Sequence, residues 1–201
     1  MHPLDAMAEK TCEGWGRMSE ARAARTTYRH GALREAAIAA AMRLVSEGGE
    51  PALTLRRVAE AVGVAHRSLY NHFADREALA DAVAQAGFAL LATRLRAAAS
   101  RADFVREYVR FVLGNLNLYR LMKSQPLAAL KDKAALREAI RLTAAESERL
   151  FGDSRASAEE NRRVVVKVLM LLYGGISLYL EGLLDVAGED DLIAQMQAML
   201  A

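Results

Sequence analysis

One glycine constrains this chain more than any other residue. The stretch "VAEAVGVAHRSLYNHF", Val58 to Phe73, would read as a single helix but for Gly63. Thr54 opens the segment before it, "TLRRVAEAV", in which Leu55, Val58, Ala59 and Val62 recur at three- and four-residue steps. That spacing predicts an amphipathic helix, and a threonine just ahead of it is a good N-cap. A glycine at the far end commonly takes a left-handed conformation that stops the helix. The chain then starts again as a second helix over roughly His66 to His72, with Leu69 and Phe73 turned inward. Two short helices on so tight a turn cross steeply. Ala59 falls where they touch and must stay small, while Val58, Val64 and Leu69 hold the pair together.

The same reasoning makes the rest of the chain helical. Only 13 glycines and 3 prolines occur in 201 residues, and 53% of the chain is apolar, with alanine, leucine, arginine and glutamate dominant. These are good helix formers, and an all-α fold with a sizeable core follows. "GALREAAIAAAMRLVS", residues 31–46, carries Leu33, Ala37, Ala40, Ala41 and Leu44 on one face and stops at "EGGEPA". Asp75 caps a long fourth helix whose first inward residues are Leu79 and Val83. Further helices are expected from residue 102 onward, broken at Gly114/Asn115, Pro126, "GDS" and "AGED". "VVV", Val164 to Val166, favours a strand by itself but has no evident strand partner.

The second helix of the pair presents an unusually dense set of polar side chains. Arg67 suits the O6 and N7 atoms of guanine, Asn71 suits N6 and N7 of adenine, and His66 suits a base edge or a phosphate. Tyr70 and His72 suit phosphates, which set register rather than sequence. Ser68 lies in the same cluster. Thr54, Arg56 and Arg76 flank it, the last in the first turn of the fourth helix, where free amides also attract phosphate. Chemistry alone leaves open a plain solvent-facing helix. Net charge is only +2, so the case for nucleic acid rests on where the charge lies, not on its sum.

"HGALREAAIAAAMRLVSEGG" followed by "ALTLRRVAEAVGVAHRSLYNHFADREALADAVA" resembles the N-terminal domain of the tetracycline-repressor (TetR) family of bacterial transcription regulators, from about Tyr28 to Ala84. "LYNHF" with Asp75, Arg76 and Leu79 is the most specific piece. The resemblance implies that Thr54, Tyr70, His72 and Arg76 touch the phosphate backbone and that His66, Arg67 and Asn71 lie toward the bases. Two residues depart from the family pattern. Ala65 stands where serine or threonine usually caps the recognition helix, and Arg67 where a small residue or proline is frequent. The resemblance further implies a homodimer on double-stranded DNA, a C-terminal helical domain and, often, a small effector. "YVRFVLGNLNLYRLM" resembles part of one C-terminal class named for a Trp-His-Gly signature, in which Met170 and Gly174 here take the Trp and His places and Gly175 is retained.

In the C-terminal half, the run Val164 to Leu180 is the most apolar. Lys167 interrupts it and leaves about 13 unbroken apolar residues, short of the ~20 a membrane span needs. Two readings fit: a subunit interface in which Leu169, Leu172, Gly174, Gly175 and Ile176 meet Leu192, Met196 and Met199, giving a four-helix seam about a two-fold axis, or the core of the C-terminal domain itself. Phe104, Tyr108 and Phe111 share a helix face and can converge with Tyr119, Met122, Met170 and Tyr173, with Phe88 and Leu91 nearer the DNA end. That set reads either as ordinary core or as a cavity for a small, largely apolar effector.

These observations divide the chain into an extension (1–27), a helix-turn-helix domain (28–76) and a regulatory and dimerisation domain (77–201). Arg17, Arg22 and Arg25 of the extension, with Arg29 just after it, suit either a minor-groove arm or an unstructured tail. It lacks the apolar core of a signal peptide, and Cys12 is the single cysteine, so a cytoplasmic setting fits. No nucleophile elbow, phosphate loop or zinc-binding helix motif occurs, so neither an enzyme, a metal site nor a cofactor is expected. The expected function is a ligand-responsive regulator that represses from a palindromic operator. The alternative is a helical interaction protein that keeps the motif without binding DNA.

Overall fold

The computed structural model describes residues 32–124 and 131–201. Among them lie nine α-helices: α1 (32–48), α2 (Leu55–Val62), α3 (His66–Leu69), α4 (Arg76–Arg96), α5 (Arg101–Gly114), α6 (Leu116–Lys123), α7 (Ala134–Phe151), α8 (Ala158–Leu180) and α9 (Glu189–Met199), with a short 3-10 turn at Glu50–Ala52. No strand occurs among the described residues, and Val164 to Val166 lie within α8. Helical neighbours on both sides override the local β preference of three valines. Expectations for the 1–27 extension and Cys12 fall outside the described residues.

Local residues start and stop these helices. Thr54 Oγ1 accepts from Arg57 N at 3.2 Å, Asp75 Oδ1 from Ala78 N at 2.8 Å and Ser100 Oγ from Asp103 N at 3.0 Å, each satisfying an orphan amide of a first turn. Ser157 and Glu160 form a reciprocal capping box at the head of α8.

The long helix α4 is the axis of the molecule. Leu79 and Val83 on its first turns pack with Ala37, Ala41, Val58, Leu69 and Phe73 of the N-terminal helices, and Leu91 and Leu95 continue the same buried cluster into the C-terminal helices. α7 packs along α4 more extensively than do the other helices from α2 onward, and α6 crosses it at Gly87, where an added β-carbon would collide with Met122 Sδ. Polar groups fix these contacts at both ends. Lys133 at the head of α7 reaches Glu77 and Asp81 at 2.9 and 2.8 Å. Near the foot of α7, Arg149 donates to the carbonyls of Leu95, Arg96 and Ala98, at the end of α4 and just beyond it. Glu146 binds both Arg149 (2.8 Å) and Arg96 (3.1 Å). Burial pushes its carboxyl up, but the hydrogen bonds from Arg149 and Arg96 outweigh that and hold it below the usual range.

α9 closes the far side against α5, through Arg110 with Glu189 and Asp190 and through Gln197 Nε2 on Ala102 O. α4 and α8 are long and apolar enough to match a membrane span, so the short apolar run within α8 understates the helix that contains it. α4 is packed on several sides within the protein.

Candidate functional site

The turn between α2 and α3 has the geometry its glycine predicts. Gly63 sits at φ 71°, ψ 34°, and Val64 N donates to Ala59 O at 3.0 Å, closing the helix end. Nothing lies within 4 Å of a β-carbon built at Gly63, so glycine is needed there for its backbone angle and not for space. Val58, Ala59, Leu69 and Phe73 are buried, and Val64 packs against them.

α3 is shorter than the sequence implies. It spans four residues and continues as a turn, with His72 N and Phe73 N both bonded to Leu69 O at 2.9 Å. Ala65 offers no side-chain cap, and the first turn closes through Ser68 N to Ala65 O at 2.8 Å instead. Burying Leu69 completely turns the opposite face of this stub to solvent. His66, Arg67, Tyr70 and Asn71 are exposed, and Ser68 and His72 half-buried. His66 and Tyr70 meet edge to face at 5.1 Å between ring centroids.

The flanking residues divide. Arg56 is exposed and pairs with Glu60 at 3.0 Å, an i,i+4 pair of little energetic weight. Thr54 caps α2. Arg76 is engaged within the chain: Nε donates to Leu53 O (3.0 Å), and Nη2 to Glu50 O and Oε1 (both 3.1 Å). Its guanidinium clamps the loop ahead of α2 to the head of α4.

In the C-terminal half the residues singled out from the sequence separate into three groups. Phe88, Leu91, Tyr108, Tyr119, Leu169, Met170 and Tyr173 line one cavity of about 380 Å³, together with Lys123, Ile140, Thr143, Ala144 and Val166. Phe104, Phe111 and Met122 do not line it and are fully buried elsewhere. Phe104 meets Phe151 edge to face, Phe111 lies under Arg94 and Met122 fills the space over Gly87. They share a stripe with the cavity residues, but a stripe on a helix spans more than one neighbour. Inside the cavity Tyr108 and Tyr119 join their hydroxyls at 3.0 Å. Burial raises both phenols, Tyr108 strongly, so both are neutral at pH 7.

The residues expected at a subunit interface also split. Leu172 (0% exposed), Ile176, Leu192 and Met196 are core of the single chain. Gly175 accommodates Met196 of the same chain, whereas a β-carbon built at Gly174 would meet open space. The apolar face left open is Met170 (70% exposed), Tyr173, Leu178, Leu180, Leu183 and Met199. A groove of about 280 Å³ between α8 and α9 borders it.

Residues 37–83, which hold this helix-turn-helix, match the family described as bacterial regulatory proteins, tetR family. The chain carries the TetR-family helix-turn-helix domain. It is 36% identical over 111 residues to the class A tetracycline repressor from transposon 1721 of Escherichia coli, covering 55% of this chain and 47% of that protein. It is 34% identical over 116 residues to the class C tetracycline repressor of Escherichia coli, covering 58% and 49%. The chain therefore spans about half the length of these curated relatives. The fold extends further. A protein of unknown function from Rhodococcus sp. RHA1 aligns with TM-score 0.68 and 27% identity over 84% of this chain and 93% of that one. A TetR variant from Acinetobacter baumannii AYE in complex with minocycline aligns with TM-score 0.55 and 23% identity over 82% and 89%.

Sequence reasoning missed Lys123, Ile140, Thr143, Ala144 and Val166 of the cavity. A signal for Lys123 was present: it follows Tyr119 by four residues, one turn on the same face of α6. The α7 residues were hidden because its small, mixed stripe of Leu136, Ala139, Ile140, Thr143 and Ala144 resembles any packing face. Thr143 also bonds Phe88 O at 3.2 Å, joining the cavity wall to α4.

Proposed function

We propose that the chain is a homodimeric, effector-responsive regulator of transcription that represses from a near-palindromic operator on double-stranded DNA. The observation that carries this reading is α3 itself. Leu69 is wholly buried, while Arg67, Tyr70 and Asn71 project into solvent beyond a steep turn. A helix so presented fits the major groove, with Arg67 and Asn71 able to form bidentate contacts to bases and Tyr70 to reach phosphate. Two copies read half-sites about one helical turn apart, ~34 Å. The second copy covers the open apolar face of α8 and α9 around Met170, Gly174, Leu178 and Met199. The tetracycline repressors among its relatives favour repression over activation, and in this reading the chain is a cytoplasmic non-enzyme with neither a cofactor nor a membrane contact.

Regulation follows from shared walls. The cavity touches α4 at Phe88 and Leu91 and α8 at Met170 and Tyr173, so an occupant bears on both the helix leading to α3 and the dimer face. It shifts DNA affinity only by as much as it prefers one arrangement over the other.

The test is fluorescence anisotropy with a palindromic duplex taken from beside the protein's own gene. Substituting R67A and Y70A together lowers affinity about 100-fold, toward non-specific binding, with the helical signal unchanged. Unaltered affinity, or binding that ignores salt concentration, sinks the proposal and leaves the interaction-protein alternative.

A further inference from the structure

The cavity is not chemically uniform. Of its lining residues only Lys123 carries a formal charge at neutral pH; the remainder are aliphatic, aromatic or hydroxyl-bearing, with the thioether of Met170. The Lys123 ammonium lies 3.2 Å from the ring centroid of Tyr173 and 5.2 Å from that of Tyr119. Those ring faces are its partners, and among the described residues no carboxylate pairs with it. Lys133, by contrast, meets both Glu77 and Asp81. Partial burial pushes the Lys123 amine down, the expected response of a cation that loses water without gaining a counter-ion. Aromatic faces offset only part of that loss.

The rim continues the same sign. A neighbouring groove lined by Arg162, Arg163, Val166, Lys167 and Met170 shares Val166 and Met170 with the cavity. Arg162 and Arg163 both turn to a single carboxylate, Glu159, so this rim is positive. Deeper in, the Tyr108–Tyr119 hydrogen bond uses one of two hydroxyl hydrogens. The other is available to an acceptor.

We propose that the cavity takes an amphipathic anion: an apolar body seated among Phe88, Leu91, Ile140 and Leu169, and a carboxylate or comparable acidic head held at the mouth by Lys123. The assignment deepens the effector reading above and rests on it. A neutral occupant leaves Lys123 without a counter-ion, and a cationic one faces like charge at Lys123 and Lys167. An acid completes a charge-assisted pair next to a low-dielectric wall, where such pairs are strongest.

A matched probe pair separates the two levels of the argument. 8-Anilinonaphthalene-1-sulfonate and N-phenyl-1-naphthylamine share an apolar skeleton and differ by the acidic group. With the full chain, the sulfonate binds about tenfold more tightly than the neutral amine, and dodecanoate displaces the neutral probe about tenfold better than dodecanol. In K123M the preference for both acids falls to about twofold or less, while the neutral probe and the unfolding temperature are unchanged. K167M, at the rim, loses about two- to threefold. Equal binding of acid and neutral probes, or a K123M protein that keeps its preference, overturns the anion assignment and leaves an effector cavity standing. Failure of both probes to bind overturns the cavity reading and the assignment with it.

Discussion

The α2–α3 pair and the α8–α9 pair are each two helices joined by a break, yet they are specified in different ways. In the first, the caps and the turn that decide the helix ends are local. Thr54 caps its own helix, Gly63 makes its own turn and Asp75 caps the helix that follows. In the second, deciding contacts come from far along the chain. Gly175 makes room for Met196, Arg110 reaches Glu189 and Gln197 reaches Ala102. Local specification fixes where a face points. Long-range specification fixes only that a face is covered, and leaves open what covers it. An exposed stub such as α3 is therefore defined by a few replaceable residues, whereas an apolar helix such as α8 needs its whole surroundings to assign each side chain.

The largest expected effect tests the long-range half. L172A removes a fully buried side chain and costs about 3 kcal/mol of unfolding free energy, measured by denaturant titration. It leaves the subunit dissociation constant within about threefold, whereas M170D on the open face weakens association and spares stability. The opposite pattern would return Leu172 to the subunit interface and erase the contrast drawn here.

Next comes the α4–α7 junction. R149A uncovers the last carbonyls of α4 and removes one of two partners of Glu146, at a cost of about 2 kcal/mol. The pH dependence follows the direction of the shift. Because the folded state holds the Glu146 carboxyl below its usual range, the unfolded state takes up a proton first as pH falls. The stabilisation is complete above the ordinary glutamate range, near pH 4.3, and is lost as pH drops through the folded value. Thermal melts between about pH 6 and 3 therefore converge for E146Q and the natural chain at the acid end.

The smaller effects test the local half. G63A forces a β-carbon into a left-handed conformation and costs about 1 kcal/mol, a loss visible by hydrogen exchange in α2 and α3. A65S supplies the missing cap and stabilises the start of α3 by about 0.5–1 kcal/mol. If A65S slows exchange throughout the C-terminal helices as much as in α3, the two regions are not separately specified.

These contrasts explain what the sequence disclosed. The helix pair, its glycine and its buried Leu69 and Phe73 were legible because capping and periodicity act within one turn. The engagement of Arg76 was not. Its acceptors are carbonyls 23 and 26 residues away, and a carbonyl carries no residue-specific sign of being unpaired. In the C-terminal half, Tyr108, Tyr119, Met170 and Tyr173 were grouped by aromatic and methionine spacing, and they do line one cavity. Spacing also drew in Phe104, Phe111 and Met122, because a stripe records hydrophobicity and not the identity of the opposing surface. Lys123 was passed over because a lysine in a last helical turn usually has water for company.

The Arg76 clamp has a mechanical consequence. By fastening the loop before α2 to the head of α4, it ties the helix pair that carries the exposed α3 stub to a rod of 21 residues, about 31 Å long. A pivot of roughly six degrees at the far end of such a rod swings its near end by about 3 Å. Small displacements near Phe88 and Leu91 are thus magnified before they arrive at Arg67.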